Sequence, residues 1–349
     1  SALRLVGRCA SLAASVGEPQ TAAHILLPVA QANIPPRDRA AIYDTIISFA
    51  YAAGDRELAY SSLRERFMLG MALGDDARSL QELELGMLEA SVQQGVHPTT
   101  AIAPLMAILA DKLAGSETRT RAGLRLLIIA DMLLDEPLAY MTRDQLQRLD
   151  APSTSGSLHR QAQLVWETVF GDQEYALAIV TELLRDNPEP SLSQSVIGAR
   201  HYAAFSLSRM GLRELAKPVL LADYDFMVKH HVASEALYTL TLLAENAIAE
   251  GNHIEAARFL KDAAVALERG EPHTHFTERS FLLATANLAL LENRLSDADH
   301  AIGMVRRCAL TATTTRIHAV ELASALRIAS ARGAAMEDDD QVEVLREQL

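Results

Sequence analysis

A glycine, a short polar gap and an alanine five positions later recur along this chain. The phrases FGDQEYALAIV, MGLRELAKPVL and EGNHIEAARFL begin at 170, 210 and 250. With turn-forming substitutes admitted, the marker falls at Gly17, Gly54, Gly95, Asp135, Gly171, Gly211, Gly251, Asn293 and Gly333, in steps of 36 to 42 residues. Alanine stands five positions on at Ala22, Ala59, Ala176, Ala216, Ala256 and Ala298; Thr100, Tyr140 and Asp338 break the rule. A fixed period of this size means one supersecondary unit copied along the chain, with neighbouring copies covering each other's apolar faces.

The unit reads as a helical hairpin. Before Gly251, Leu240, Leu243, Ala244 and Ala247 recur at helical spacing; after it, Ile254, Ala257, Leu260 and Ala264 do the same. Glycine at the end of the first helix can turn left-handed, where other residues resist. Asp172, Asn252 and Ser296 sit where a side-chain oxygen caps the second helix, and the alanine lets the two helices approach closely. Alternating β-branched runs and Asn-Gly or Asp-Gly turns are missing. With 49% hydrophobic residues and only 5% aromatics, the chain is rich in good helix formers. About seventeen or eighteen helices are expected, each ~12 to 18 residues long. The segment DAPSTSGS at 150 to 157 is the best joint, separating less regular repeats (1–150) from better-phased ones (151–349) whose last copy is cut short.

Glycine at a helical turn with alanine five later resembles the tetratricopeptide repeat, whose period is about 34. Pro188, 17 residues past Gly171, matches the proline that often ends that family's second helix. The period here is nearer 40, and most of the family's aromatic positions hold Leu, Ala or Ile, which looks like the longer repeats of bacterial transcription regulators of the MalT type. The resemblance implies an all-α, right-handed superhelical solenoid of about nine helix-turn-helix repeats. It also implies a concave binding face formed by residues six, ten and thirteen before each turn. Those positions hold Asp44, Ser48, His201, Phe205, Tyr238, Thr241, Glu245, Ser280 and Asn287. A carboxylate-clamping version would need basic residues and paired asparagines there, and only Asn287 fits.

A net charge of −13 argues against direct nucleic-acid contact. Two cysteines 299 positions apart, Cys9 and Cys308, read as small buried thiols in a reducing compartment. The longest greasy patch, LRLLIIADMLL, is interrupted by Arg125 and Asp131 and falls short of the ~20 residues that span a bilayer. The chain opens on Ser and stops within a helical pattern, which reads as a piece of a longer cytoplasmic protein.

Chemistry-bearing groups are sparse. His273, His275 and Glu278 lie in a proline-bearing loop, and His230 and His231 lack the spacing of a zinc motif. Asp131 and Asp135, like Asp75 and Asp76, fall at helix ends, and no glycine-rich phosphate loop occurs. Trp166 is expected in the core between repeats. The expected function is non-enzymatic recognition of a protein or peptide, or of a small signal molecule, as the sensor or docking part of a larger bacterial regulator. No cofactor and no metal are expected. The alternatives are a homodimerisation module, with Val342, Leu345 and Leu349 as an uncovered apolar stripe, and a metal-dependent helical enzyme using Asp131 and Asp135 or the His273 and His275 pair.

Overall fold

A computed structural model describes residues 2–149, 156–269 and 273–308, and residues 320, 321, 323–325, 327, 328 and 330. Sixteen helices and no strand occur among the described residues. They form eight hairpins: α1 (Ala2–Ser15) with α2 (Pro19–Ala30), α3 (Pro36–Ala53) with α4 (Arg56–Leu73), α5 (Ala77–Gln93) with α6 (Thr99–Ala110), and α7 (Ser116–Leu133) with α8 (Glu136–Gln147). The series continues with α9 (Gly156–Val169) and α10 (Gln173–Asp186), α11 (Gln194–Arg209) and α12 (Arg213–Lys229), α13 (Ala233–Ala249) and α14 (His253–Glu268), then α15 (His275–Leu291) and α16 (Leu295–Cys308). The described residues of 320–330 are helical again, and Ile328 shares a core cluster with Ile302 and Val305 of α16.

Each second helix packs on the first helix of the next hairpin, as α2 does on α3, α4 on α5 and α12 on α13. First helices also lie side by side along α7, α9 and α11 and between α13 and α15. This is an all-α helical-repeat solenoid, in which stability is shared between adjoining units. Gly333, Asp338, Val342, Leu345, Leu349 and residues 150–155 lie outside the described residues. On either side of the 150–157 segment one core cluster is continuous, with Leu127 and Leu146 beside Ala162 and Trp166. Trp166 is buried there, stacked on Phe170 and edge-on to Tyr140.

The recurring phrase has a direct structural meaning. Gly17, Gly54, Gly95, Gly211 and Gly251 all take positive φ, between 74° and 90°. Asp55, Asp172 and Asn252 then accept backbone N–H bonds from the first turn of the following helix. The alanine is the fourth helical residue. Ala22, Ala59, Ala176, Ala216, Ala256 and Ala298 are each fully buried, because a larger side chain there would part the helices.

Four sequence readings shift. In the fourth hairpin the left-handed residue is Leu134 (φ 55°), while Asp135 is the cap, accepting from Leu138 N. Counting from Leu134, the fifth residue is Ala139, fully buried, so the exception at Tyr140 is one of phase alone. Ser296 does not cap α16, which begins one residue earlier, with Arg294 paired to Asp297. The inward stripe of α14 is Ala256, Phe259, Leu260 and Ala263, whereas Ile254 is 87% exposed and Ala257 is exposed too. Cys9, expected to be buried, is exposed.

A leucine in the left-handed region costs roughly 1–2 kcal/mol, and glycine forfeits part of that gain through unfolded-state freedom. Leu134→Gly therefore raises stability by about 0.5–1 kcal/mol, whereas Ala139→Leu lowers it by about 1–3 kcal/mol through overpacking. Urea unfolding of the two variants checks both signs.

Candidate functional site: a cavity inside the superhelical turn

The turns of the first two hairpins reach the far side of the array. Gly17 lies against the His231 ring and Gly54 against Ser234, so near that an added Cβ would stand 2.9 Å and 2.4 Å from them. Arg56, the first residue of α4, donates to Glu235 at the start of α13 at 2.7 Å, across 179 positions of sequence. Gln94 holds the Arg56 carbonyl from the next repeat at 2.8 Å, and the Tyr51 ring lies under the guanidinium. The second hairpin thus meets the start of the seventh, and the solenoid closes on itself.

Within this closed turn lies a cavity of about 310 Å³, at the small end of the range for ligand sites. Its walls follow a rule. Glu89, Ile128, Val165 and Phe205 all line it, and each stands six residues before the turn residue of its hairpin: Gly95, Leu134, Gly171 and Gly211. Helical spacing brings in their neighbours on the same face, Val92, Arg125, Met132, His201 and Arg209. Glu235 and Tyr238 of α13 and Phe276 of α15 complete the far wall. Aromatic rings run along it: His201 tilts against Tyr238 with centroids 4.9 Å apart, and Tyr238 stacks with Phe276 at 6.1 Å.

The wall's charges are paired with one another. Glu89 accepts from Arg121 at 2.8 Å and from Arg125 at 2.9 Å. Burial pushes the Glu89 carboxyl up, but Arg125 and Arg121 outweigh it and hold it below the usual carboxylate range. Arg125 also reaches the Tyr202 hydroxyl at 3.5 Å, and Arg209 stands 3.9 Å from Asp131. Burial pushes the His201 imidazole down, with Glu235 opposing and Arg125 assisting, so the ring is neutral near pH 7. Burial likewise raises the Tyr202 and Tyr238 phenols, keeping both protonated as potential donors.

Of the nine residues expected on the concave face, His201, Phe205 and Tyr238 line the cavity. Glu245 lies two turns beyond Tyr238 on α13 and is exposed to solvent. Its surroundings nevertheless push its carboxyl up to about 7, only partly offset by Arg209. Thr241 is buried in the packing, donating to the Leu237 carbonyl, so it offers nothing to a ligand. Asp44 accepts from Arg66 and Ser48 is exposed, both on α3, which contributes nothing to the walls. Ser280 and Asn287 of α15 are half-buried outside the cavity, with Asn287 accepting weakly from Ser324 at 3.4 Å. Glu89, Ile128 and Val165 were missed although the same register, applied to Gly95, Leu134 and Gly171, selects them. Arg56 and Glu235 carry no such signal, because their meeting depends on closure.

The other chemical candidates do not assemble. His273 and His275 each stand 3.9 Å from Glu278, and among the described residues no group of three or more His, Cys, Asp or Glu could hold a metal ion. Asp76 and Asp135 are helix caps. No helix among the described residues is long and apolar enough to cross a membrane. No protein-family model matches this chain, and no curated protein matches it either.

Glu89 is 8% exposed, and its loss would leave two guanidiniums facing each other. Glu89→Gln is expected to cost about 2 kcal/mol, below the ~3–5 kcal/mol of a wholly buried pair, because Arg121 and Arg125 keep 37% and 31% of their side-chain surface. Urea denaturation measures it. A second expectation concerns pH. With the Glu245 carboxyl raised from its ordinary 4.5 to about 7, the native state binds more protons than the unfolded chain between those values. Stability from this group therefore falls as pH rises through the window. Glu245→Gln should raise the urea midpoint at pH 8 relative to the parent and leave the difference smaller at pH 5.

Proposed function

We propose that this chain is a non-enzymatic recognition module, a tetratricopeptide-like superhelix that takes up its ligand on the inner face. In this reading it is the cytoplasmic sensor or partner-docking segment of a larger bacterial regulator of the MalT type. The observation that carries the reading is the cavity: six successive first helices, α5 to α15, face one shared space. Its walls are largely apolar with a few fixed polar groups, the composition expected of a ligand site. A volume of about 310 Å³ suits a short peptide segment or a small signal molecule better than a folded partner.

The architecture also supplies a route for a signal. A ligand held among α5, α7 and α13 touches the elements that meet at Arg56 and Glu235. Tightening or loosening that contact changes how the first two repeats sit on the seventh. Such coupling needs a ligand that favours one closure over the other.

Ligand-observed NMR on the purified chain tests the reading, using a set of small ring compounds that spans cationic, neutral and anionic members. Ile128→Trp places an indole within the cavity and serves as the blocked control. Binding of at least one compound, lost in Ile128→Trp, is the expected result. Binding that the block leaves untouched, or none at all, would remove the cavity as the recognition site.

A further inference from the structure

We propose that the cavity takes a compact, ring-bearing monocarboxylate, its carboxylate seated on Arg125 and Tyr202 and its ring against Tyr238 and Phe276. This rests on the cavity being the recognition site and adds the chemical class of the occupant.

The charge pattern is the first support. The lining carries three carboxylates, Glu89, Asp131 and Glu235, and three guanidiniums, Arg56, Arg125 and Arg209, while Arg121, outside the lining, also pairs with Glu89. Arg56 is paired with Glu235 and Arg209 stands by Asp131, so the surplus is local, where Arg121 and Arg125 share the single carboxylate of Glu89. His201 adds no charge, since burial holds its imidazole neutral. A monoanion balances this surplus. A phosphate monoester would exceed it, and a cation would add to it.

The donors are the second support. Arg125 donates to the Tyr202 oxygen, so the phenol proton of Tyr202 is turned over to another acceptor. Close by, the Arg56 side chain is 10% exposed, and its Nε is buried with no hydrogen-bond partner. A buried guanidinium nitrogen without an acceptor is costly, and it leaves this part of the wall with more donors than acceptors. Arginine and tyrosine donors together form the charge-assisted seat that carboxylates favour.

The shape of the remaining wall is the third. His201, Tyr238 and Phe276 present consecutive ring faces, with Ile128, Val165 and Phe205 also lining the cavity. Flat rings stack or meet edge-on with such faces. A flat hydrophobic body with one acidic end matches both parts of the site.

Isothermal titration of the whole chain with benzoate, 4-hydroxybenzoate and 3-phenylpropionate, against benzamide, benzylamine and inorganic phosphate, tests the assignment. The carboxylates are expected to bind about tenfold or more tighter than benzamide, as a charge-assisted contact provides. Arg125→Gln should abolish that preference while leaving benzamide within about twofold of its parent affinity, since only the charged contact is removed. Tyr202→Phe, which keeps every charge, should weaken the carboxylates several-fold and covers the case in which Arg125→Gln fails to fold. Benzamide or benzylamine binding as well as the acids, sensitive to Ile128→Trp, would overturn the acid assignment and leave the recognition site standing. A carboxylate preference unchanged in both Arg125→Gln and Tyr202→Phe would likewise overturn it. Absence of binding by every ring compound would overturn both readings.

Discussion

The structure depends on one contact, the close approach of two helices across a fully buried alanine at the fourth residue of the second helix. A single hairpin leaves most of its apolar surface open, so each unit is stable only when its neighbour covers it. The alanine sets how near the pair can come, and that distance sets the tilt passed on to the next pair. Seven of the eight second helices keep it, from Ala22 to Ala298. The sixth helix begins two residues later relative to its glycine, and there Ala101 is buried instead. Regular spacing is what brings the first helices onto a common inner surface.

Closure then turns that surface into an interior. Groups that would be open to water on an extended array are enclosed on several sides, and their chemistry changes accordingly. The neutral imidazole of His201 and the raised phenols of Tyr202 and Tyr238 share one origin in burial. Glu89 escapes it because two arginines lie within hydrogen-bond reach. The cavity is thus a set of fixed charges and rings held by repeats distant in sequence.

Much of this is legible in the residues. The hairpins, their left-handed turns and their buried alanines follow from a period that a reader can count, because each depends on local backbone requirements. Phase errors arose where those requirements were met by an unusual residue. Leu134 turns left-handed in place of glycine, and Asp135 beside it, a good capping residue, carries the stronger turn signal in the sequence. In α14 both Ala256 and Ala257 are apolar, so periodicity alone could not decide which faces inward. The inner face was legible in part: the position six before the turn leads to Glu89, Ile128, Val165 and Phe205. In the seventh repeat the same position is Glu245, exposed to solvent. Arg56 meeting Glu235 could not be read, since no local pattern encodes a contact across 179 residues.

That long-range contact has an implication for how such an array can change length. An open solenoid tolerates gain or loss of a whole unit, since each copy touches only the adjoining ones. Here the second unit must arrive opposite the seventh with Gly54 small enough to fit over Ser234. Duplicating or deleting one copy between them would carry the two partners out of alignment by a full hairpin. The number of intervening units is therefore fixed by geometry, and any viable lengthening has to occur outward from the ends of the loop.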